Sequence, residues 1–328
     1  MDEGLQWLKA ILALPGLNTD EYALQRARVL NGAGSLARIR GDFAQALRFY
    51  EESLAIRRKA QNLTGISASL NSMGVLVMFE GKYTLAETYF QESLQICRES
   101  GIQAEVIRRL NNLGVVAMYQ GEYEKAQSLH EEAMGLYQKL GDHHGVAGSL
   151  GNLGDVLRYQ GQYKRATQAL EESLAIFREM HDVHGTVITL GSLARVQMAK
   201  GDVNQALVTF HTCLLQNREV GDKTEIATDL EGIADALSAH AKQSPAPEDD
   251  IRLAVRLLSA ASQLRAMVGA PRSAAEQSEF ERINIQLQAE MPSSDFASES
   301  ERGALMTTEQ AVEVALNHLS QISNATVV

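Results

Sequence analysis

Histidine is the side chain best suited to bind a metal or transfer a proton near neutral pH, and four histidines lie close together in this sequence. They are His143, His144, His181 and His184. His144 and His184 are 40 residues apart, which would place them on one edge of a repeating structure. Zinc needs three or four converging ligands, often cysteines, and neither cysteine lies near these histidines. We interpret them as solvated surface residues and predict no metal site.

The segment Gly221-Asp222-Lys223-Thr224 shares residue types with a phosphate-binding loop. It lacks the G-x-x-x-x-G-K-[ST] spacing, and no strand pattern precedes it to present the loop. The sequence also lacks G-x-S-x-G and H-E-x-x-H. Asp155, Arg158 and Arg195 are the one set of titratable groups that the repeat brings near each other. We therefore predict a non-catalytic protein without a cofactor.

Composition restricts the class of partner. The 328 residues carry a formal net charge of −11, which argues against unaided nucleic-acid binding because that depends on Lys and Arg at phosphates. No apolar run approaches the 18 or more residues of a membrane span, and Met1-Asp2-Glu3 does not begin a signal peptide. We expect Cys97 and Cys213 to be buried free thiols. These features predict a cytoplasmic protein that binds neither nucleic acid nor membrane.

The elements that must position any site repeat every 40 residues. A small residue, a turn glycine, an aromatic or apolar residue, an alanine and a closing leucine or methionine recur through five copies. The positions are Gly34, Gly74, Gly114, Gly154 and Ala194; Gly41, Gly81, Gly121, Gly161 and Gly201; Phe43, Tyr83, Tyr123, Tyr163 and Val203; Ala46, Ala86, Ala126, Ala166 and Ala206; Leu54, Leu94, Met134, Leu174 and Leu214. Such a period is typical of stacked repeat architectures.

Each copy has the pattern of two antiparallel helices. In the second copy, apolar residues at helical spacing predict a first helix over 66–80 and a second over 83–99. Gly74 lets the second helix approach closely, and Gly81 ends the first helix in the left-handed conformation. One pair cannot bury its apolar faces alone, whereas stacked pairs share a continuous core. The sequence predicts an all-α solenoid.

The third copy resembles the tetratricopeptide repeat, through Leu110-Asn111-Asn112-Leu113-Gly114 and Tyr119-Gln120-Gly121-Glu122-Tyr123. That repeat usually has 34 residues, and the longer unit here resembles the subclass of kinesin light chains and bacterial regulators. The resemblance implies a right-handed superhelix of antiparallel helix pairs, with five units over 24–223. The motif is specific for fold and uninformative about function.

The two ends depart from the repeat. Residues 1–23 hold a half-repeat and a link, because 3–14 resemble a second helix without its first, and we expect the array to continue before Met1. Residues 224–267 form a sixth, degenerate unit with a loop at 243–250. Residues 268–328 should supply capping helices over about 273–290, 293–302 and 308–321, and we expect 322–328 to fray.

The tail carries a second resemblance, through Arg256-Leu257-Leu258-Ser259-Ala260-Ala261, Gly269-Ala270-Pro271 and Glu279-Phe280-Glu281-Arg282. It is similar to the carboxy-terminal part of bacterial STAND-type ATPase regulators, whose layout resembles that of the maltose-system activator. That similarity implies a sensor attached to, or acting on, a separate nucleotide-binding and output domain.

In tetratricopeptide arrays the first helices line a concave surface, and the resemblance assigns a groove to fourteen residues here. They are Asn31, Arg38, Asn71, Met78, Phe79, Asn111, Asn112, Met118, Tyr119, Asn152, Asp155, Arg158, Tyr159 and Arg195. Asparagine both donates and accepts hydrogen bonds, so a row of asparagines can hold the backbone of an extended peptide. Methionines would add adaptable apolar contacts, and arginines would bind carboxylates.

Two alternatives remain open at these positions. The asparagines can instead join neighbouring helices, and the ligand can be a small-molecule inducer, as the second resemblance allows. A groove role predicts that Asn71→Ala with Asn111→Ala abolishes partner binding and leaves the thermal midpoint nearly unchanged. A peptide or protein segment in the groove is the leading hypothesis.

Overall fold

The computed structural model describes residues 2–325, and every regular element within them is helical. Two short 3-10 helices, Pro15–Asn18 and Asp20–Tyr22, follow the first α-helix. The α-helices of the described residues are α1 (Asp2–Leu12), α2 (Ala23–Ile39), α3 (Phe43–Lys59), α4 (Leu63–Phe79), α5 (Tyr83–Glu99), α6 (Gln103–Tyr119), α7 (Tyr123–Leu140), α8 (His143–Tyr159), α9 (Tyr163–Glu179), α10 (Val183–Lys200), α11 (Val203–Val220), α12 (Lys223–Ala241), α13 (Pro247–Val268), α14 (Ala274–Ala289), α15 (Ser293–Ala304) and α16 (Thr308–Ala325).

The helices form two compact units. The first contains residues 2–139 together with Gly269–Ala275, and the second contains Leu140–Val268 together with residues 276–325. Helices that are consecutive in the chain pack against each other within each unit, as in α2 with α3, α4 with α5, α8 with α9 and α12 with α13. The predicted all-α architecture of antiparallel helix pairs, similar to a tetratricopeptide solenoid, is confirmed.

The small residue of each first helix receives a large side chain from the second helix. A Cβ atom added at Gly34, Gly74, Gly114 or Gly154 would lie only 2.5–2.6 Å from the side chain of Tyr50, Phe90, His130 or Leu170, respectively. Cβ atoms in protein structures essentially never lie this close to another side chain. An alanine would therefore push the helices apart or displace the facing side chain. The close approach predicted at Gly74 is confirmed.

A turn glycine separates the two helices of each pair. Gly81 has a φ of +78°, and its counterparts from Gly41 to Gly201 also lie in the left-handed region, which glycine adopts without steric cost. The first helix of the second copy begins at Leu63 rather than 66, because the Asn62 side chain accepts a hydrogen bond from the Gly65 amide and caps it. The second helix, Tyr83–Glu99, has its predicted bounds.

A repeated buried hydrogen bond also joins the two helices of a pair. Ser53, Ser93 and Ser173 occupy one position of the repeat, and each hydroxyl donates to a first-helix carbonyl 26 residues earlier, at 2.8–2.9 Å. Cys213 occupies the same position and is buried, as is Cys97. Small polar side chains at this position satisfy one another within a tightly packed layer, which explains why they are tolerated there.

The helices after α13 pack in two ways within the second unit. Helix α15 lies along α13, and α16 lies against α11, α12 and α13. Arg256 on α13 donates to the buried carboxylate of Glu299 on α15. Asp250 on α13, which is 1% exposed, accepts hydrogen bonds from His240 on α12 at 2.8 Å and from His318 on α16 at 2.6 Å. Helices α15 and α16 thus close the core around α13.

Candidate ligand-binding face

The candidate site is the surface formed by the first helix of each pair, here called the first-helix face. In the first unit this face comprises α2, α4 and α6, and in the second unit it comprises α8, α10 and α12, so that each unit has a face of its own. The predicted groove residues all lie on these helices. Most are half-buried, while Tyr119, Tyr159 and Arg195 are exposed.

In the first unit, asparagines form hydrogen bonds between neighbouring first helices. Asn31 on α2 donates its Nδ2 hydrogen to Ser72 Oγ on α4 at 3.1 Å. Asn112 Nδ2 on α6 donates to Asn71 Oδ1 on α4 at 2.8 Å. Each bond joins positions 41 residues apart and so holds one helix pair to the next. These amides therefore stabilise the stacking, which was the alternative to ligand binding.

Asn111 points into the first unit's core, where it meets an unexpected partner. His130 Nδ1 lies 3.2 Å from Asn111 Oδ1, and because Oδ1 can only accept, the imidazole must carry its proton on Nδ1. His130 is 1% exposed, and burial lowers its pKa to about 4. His130 Nε2 is buried without a hydrogen-bond partner. This residue is uncharged at neutral pH and fills the position that Tyr50 and Phe90 hold in other copies.

Aromatic and cationic side chains lie along the outer end of the first-helix face in the first unit. The Arg38 guanidinium is 5.9 Å from the centroid of the Phe79 ring, and Phe43 packs edge-on against the same ring. Tyr119 stacks on Tyr83 with centroids 5.3 Å apart and is 36% exposed. Met78 and Met118 are half-buried beside them. This set offers apolar and π surface to a ligand.

In the second unit the corresponding residues form a charged set. Arg158 lies 4.1 Å from the centroid of the Tyr159 ring and 3.8 Å from Asp155 Oδ1, while Asp155 Oδ2 accepts a hydrogen bond from Ser192 at 3.0 Å. Tyr159 is 46% exposed. The structure therefore brings Asp155, Arg158 and Tyr159 together. Asn152 lies half-buried on the same helix, and Arg195 is exposed on α10.

The sequence prediction missed three residues of this face on α12. Glu231, Asp235 and Ser238 occupy the repeat positions of Asn111, Asp155 and Met118, which were assigned to the groove. Extending the period by one copy would have found them. All three are engaged by later helices: Arg265 on α13 binds Glu231 through two bonds of 2.9 and 3.1 Å, and α14 contacts Asp235 and Ser238.

Two of the features considered for chemistry, His144 and the Gly221–Thr224 segment, have structural roles. His144 Nε2 lies 3.0 Å from Asp182 Oδ2, and the other oxygen of Asp182 caps α10. Asp222 caps α12 by accepting from the Thr224 and Glu225 amides, so the Gly221–Thr224 segment is a helix-capping turn. Within residues 2–325, no three His, Cys, Asp or Glu side chains are placed to hold a metal ion. No helix in the same part of the chain is long and apolar enough to span a bilayer.

One buried carboxyl group lies behind the face in the second unit. Asp229 on α12 is 5% exposed and accepts a 2.7 Å hydrogen bond from Asn217 on α11. Burial raises the pKa of Asp229 to about 7, against the lowering effect of the Asn217 bond. The same surroundings raise the pKa of the Cys213 thiol, chiefly through burial, so this thiol is unreactive.

Comparison with known families identifies the repeat. Two tetratricopeptide repeat models match, over residues 26–60 and 105–179. These segments span copies that the 40-residue period defines, and they carry tetratricopeptide repeats. No curated protein matches the chain.

Solved structures support the same fold. A Rap protein complexed with competence and sporulation factor has a TM-score of 0.64 at 13% identity, over 97% of this chain and 86% of that chain. The Rap conjugation gene regulator of plasmid pLS20, in complex with the Phr* peptide, has a TM-score of 0.55 at 15% identity, over 81% and 77%. Kinesin light chain-like repeats from Podosopora anserina have a TM-score of 0.50 at 18% identity, over 60% and 96%.

Proposed function

We propose that this chain is a non-catalytic module that binds a peptide or protein segment on its first-helix face. Its role is that of a sensor or scaffold that controls an attached or separate nucleotide-binding or output domain of a bacterial regulator. The link to STAND-type regulators remains a prediction from the tail motif. The similar fold of the pLS20 regulator holds the Phr* peptide, which supports a peptide as the ligand class.

One observation carries this proposal. The first-helix face combines a guanidinium stacked on an exposed aromatic ring, Arg158 on Tyr159, with the neighbouring carboxylate of Asp155. A planar, preorganised guanidinium beside an exposed ring suits a carboxylate and an apolar group of the same ligand. By contrast, the second helices present paired glutamates such as Glu171 and Glu172, both exposed, which we interpret as a solvated outer face.

A small-molecule inducer is the weaker candidate. The second unit has a cavity of about 530 Å³, a volume suited to a small ligand. It lies between α16 and the turn that joins α11 to α12, and none of the fourteen predicted groove residues lines it. Because the predicted groove residues do not line this cavity, they favour a peptide or protein segment bound across several helices over a small molecule in the cavity.

A peptide display library selected against the full chain tests the proposal. Peptides that bind the wild type should lose at least about tenfold in affinity for Arg158→Ala with Tyr159→Ala, because aromatic and arginine anchors dominate such interfaces. The matched control is Glu171→Ala with Glu172→Ala on the outer face of α9, which should bind as the wild type does. Equal affinity of both double variants for every selected peptide would exclude this face as the binding surface.

A further inference from the structure

Helix α14 behaves differently from α15 and α16, which close the core around α13. Two of its polar contacts in the second unit are made with the first-helix face. Arg282 Nη2 donates to Asp235 Oδ1 at 2.7 Å, and Gln286 Nε2 donates to Ser238 Oγ at 2.7 Å. Both partners lie at repeat positions that the groove prediction assigns to ligand contacts. A segment of the chain itself thus occupies ligand positions of α12.

Apolar contacts hold the same helix in place. Ile283 is 3% exposed and Leu287 is 0% exposed, and both belong to the core cluster that contains Ile233, Ala234 and Leu237 of α12. Phe280 is partly buried against this cluster. The spacing of Phe280, Ile283 and Leu287 is that of one face of a helix, so α14 buries its apolar face in this core cluster.

Charges on earlier pairs of the second unit also act on α14. The hydrogen bond from Arg282 lowers the pKa of Glu279, burial opposes this, and the positive charges of Arg158 on α8 and Arg195 on α10 lower the pKa further. The Glu276 carboxylate is 3.6 Å from Arg265. Glu279 of α14 is therefore influenced by Arg158 and Arg195, two of the arginines that the sequence assigned to carboxylate binding.

The segment before α14, together with the first residue of that helix, lies against two turns of the first unit. Pro271 Cγ is 3.4 Å from the position a Cβ would take at Gly41, and Ala274 Cβ is 2.7 Å from that position at Gly81. These glycines end the first helices α2 and α4. Gly269, with a φ of +64°, precedes residues 270–291, and Pro292 follows them. A left-handed glycine and a proline both interrupt helices, so the chain turns at each end of this segment.

We propose that α14 is an internal ligand of the first-helix face, and that the partner binds by displacing it. This inference rests on the proposed function. The displacing partner is an amphipathic helix with the chemistry of α14: a carboxylate in place of Glu279, a guanidinium in place of Arg282, and apolar residues in place of Ile283 and Leu287. The apparent affinity for such a partner equals the intrinsic affinity multiplied by the fraction of molecules with the face open.

The test is a charge reversal at the α14 contact in the full chain. Arg282→Glu places a carboxylate against Asp235 and Glu279, so α14 should open, and its amides should exchange hydrogen at least about tenfold faster. A synthetic peptide of residues 274–290 should then bind this variant at least about tenfold more tightly than it binds the wild type. Asp235→Arg combined with Arg282→Glu should restore wild-type exchange, because the pair is re-formed with reversed charges.

Controls separate release of α14 from general damage. Arg252→Glu alters a similarly exposed arginine, whose partner Glu248 lies on its own helix, and should leave α14 exchange and peptide binding unchanged. Thermal unfolding of each variant checks the fold, and the milder Arg282→Ala replaces the reversal if that variant unfolds.

Unchanged exchange in α14, or a released α14 whose peptide fails to bind in trans, would overturn the inference and make α14 a structural cap. Failure of the reversed pair to restore exchange would also overturn it. These measurements need no foreign ligand, so a failed library selection counts against the proposed function alone.

Discussion

His130 replaces an aromatic or apolar residue at a position where other copies hold Tyr50, Phe90, Leu170 and Phe210. It fills the space opposite Gly114 and donates to Asn111, but it lacks a partner at Nε2. Its pKa of about 4 lies below the value of about 6.5 expected in the unfolded chain. The folded first unit therefore resists protonation at a site where the unfolded chain accepts it.

This difference predicts an acid-sensitive fold. Between pH 6.5 and pH 4 the unfolded state binds more protons, so the stability that is complete above pH 6.5 falls as the pH drops, by up to about 3 kcal/mol. In His130→Phe, urea unfolding midpoints should change less between pH 7.5 and pH 4.5 than in the wild type. The exposed His143→Gln provides the control and should keep the wild-type dependence. Equal slopes in His130→Phe and the wild type would show that another group governs acid unfolding.

Asp229 acts in the opposite direction. Its folded pKa of about 7 exceeds the ordinary value near 3.9. Its contribution to the stability of the fold is therefore complete below about pH 3.9 and is lost as the pH rises through 7. Asp229→Asn keeps an acceptor for Asn217 and removes the buried charge, so it should stabilise the chain at pH 8 by about 3 kcal/mol and much less at pH 4.5. Thermal midpoints at both pH values measure this. If Asp229→Asn were less stable than the wild type at pH 8, the charge of the Asp229 carboxylate would be compensated by its partners in the folded state.

At the scale of the helix, the asparagines of the first-helix face act between elements. Asn112 and Asn71 join α6 to α4, and Asn31 joins α2 to α4 through Ser72. Hydrogen bonds of this kind each contribute about 1 kcal/mol, and more when a partner is left buried and unpaired. The asparagine row thus has a structural role that binding experiments must take into account.

Asn71→Ala with Asn111→Ala should therefore lower the thermal midpoint by several degrees, since it removes partners of Asn112 and His130. The expectation from sequence was instead that the midpoint would stay nearly unchanged. The measurement is thermal unfolding by circular dichroism, with Gln127→Ala and Glu131→Ala on the exposed face of α7 as the matched pair. An unaltered midpoint would show that these asparagines do not stabilise the fold and would favour their role in ligand binding.

Local features of the fold could be predicted from the sequence because they depend on short-range physics. The turn at Gly81 and the close approach at Gly74 follow from glycine's missing Cβ, and the 40-residue period places them in every copy. The direction of an amide such as Asn71 could not be predicted, because a groove ligand and a neighbouring helix satisfy it equally well. The position of α14 was also beyond reach, since its contacts with Asp235 and Ser238 join segments with no common period.

At the scale of the whole chain, the division into two compact units does not follow the order of the residues. The chain forms most of the first unit, continues through the second as far as Val268, returns to the first over Gly269–Ala275, and ends in the second. Fragments cut between Lys139 and Leu140 would leave the first unit without this returning segment. The full chain is therefore the appropriate material for binding and stability measurements.

The returning segment also sets an order of events during synthesis. The first unit has its seven helices α1–α7 as soon as residue 140 has emerged from the ribosome, yet Pro271 and Ala274 reach the turns at Gly41 and Gly81 only after five more repeat helices and α13 have been made. At translation rates of about 5–20 residues per second, the nascent first unit spends several seconds with these turns uncovered. A co-translational partner would meet the protein in that interval, before its own carboxy-terminal segment can compete.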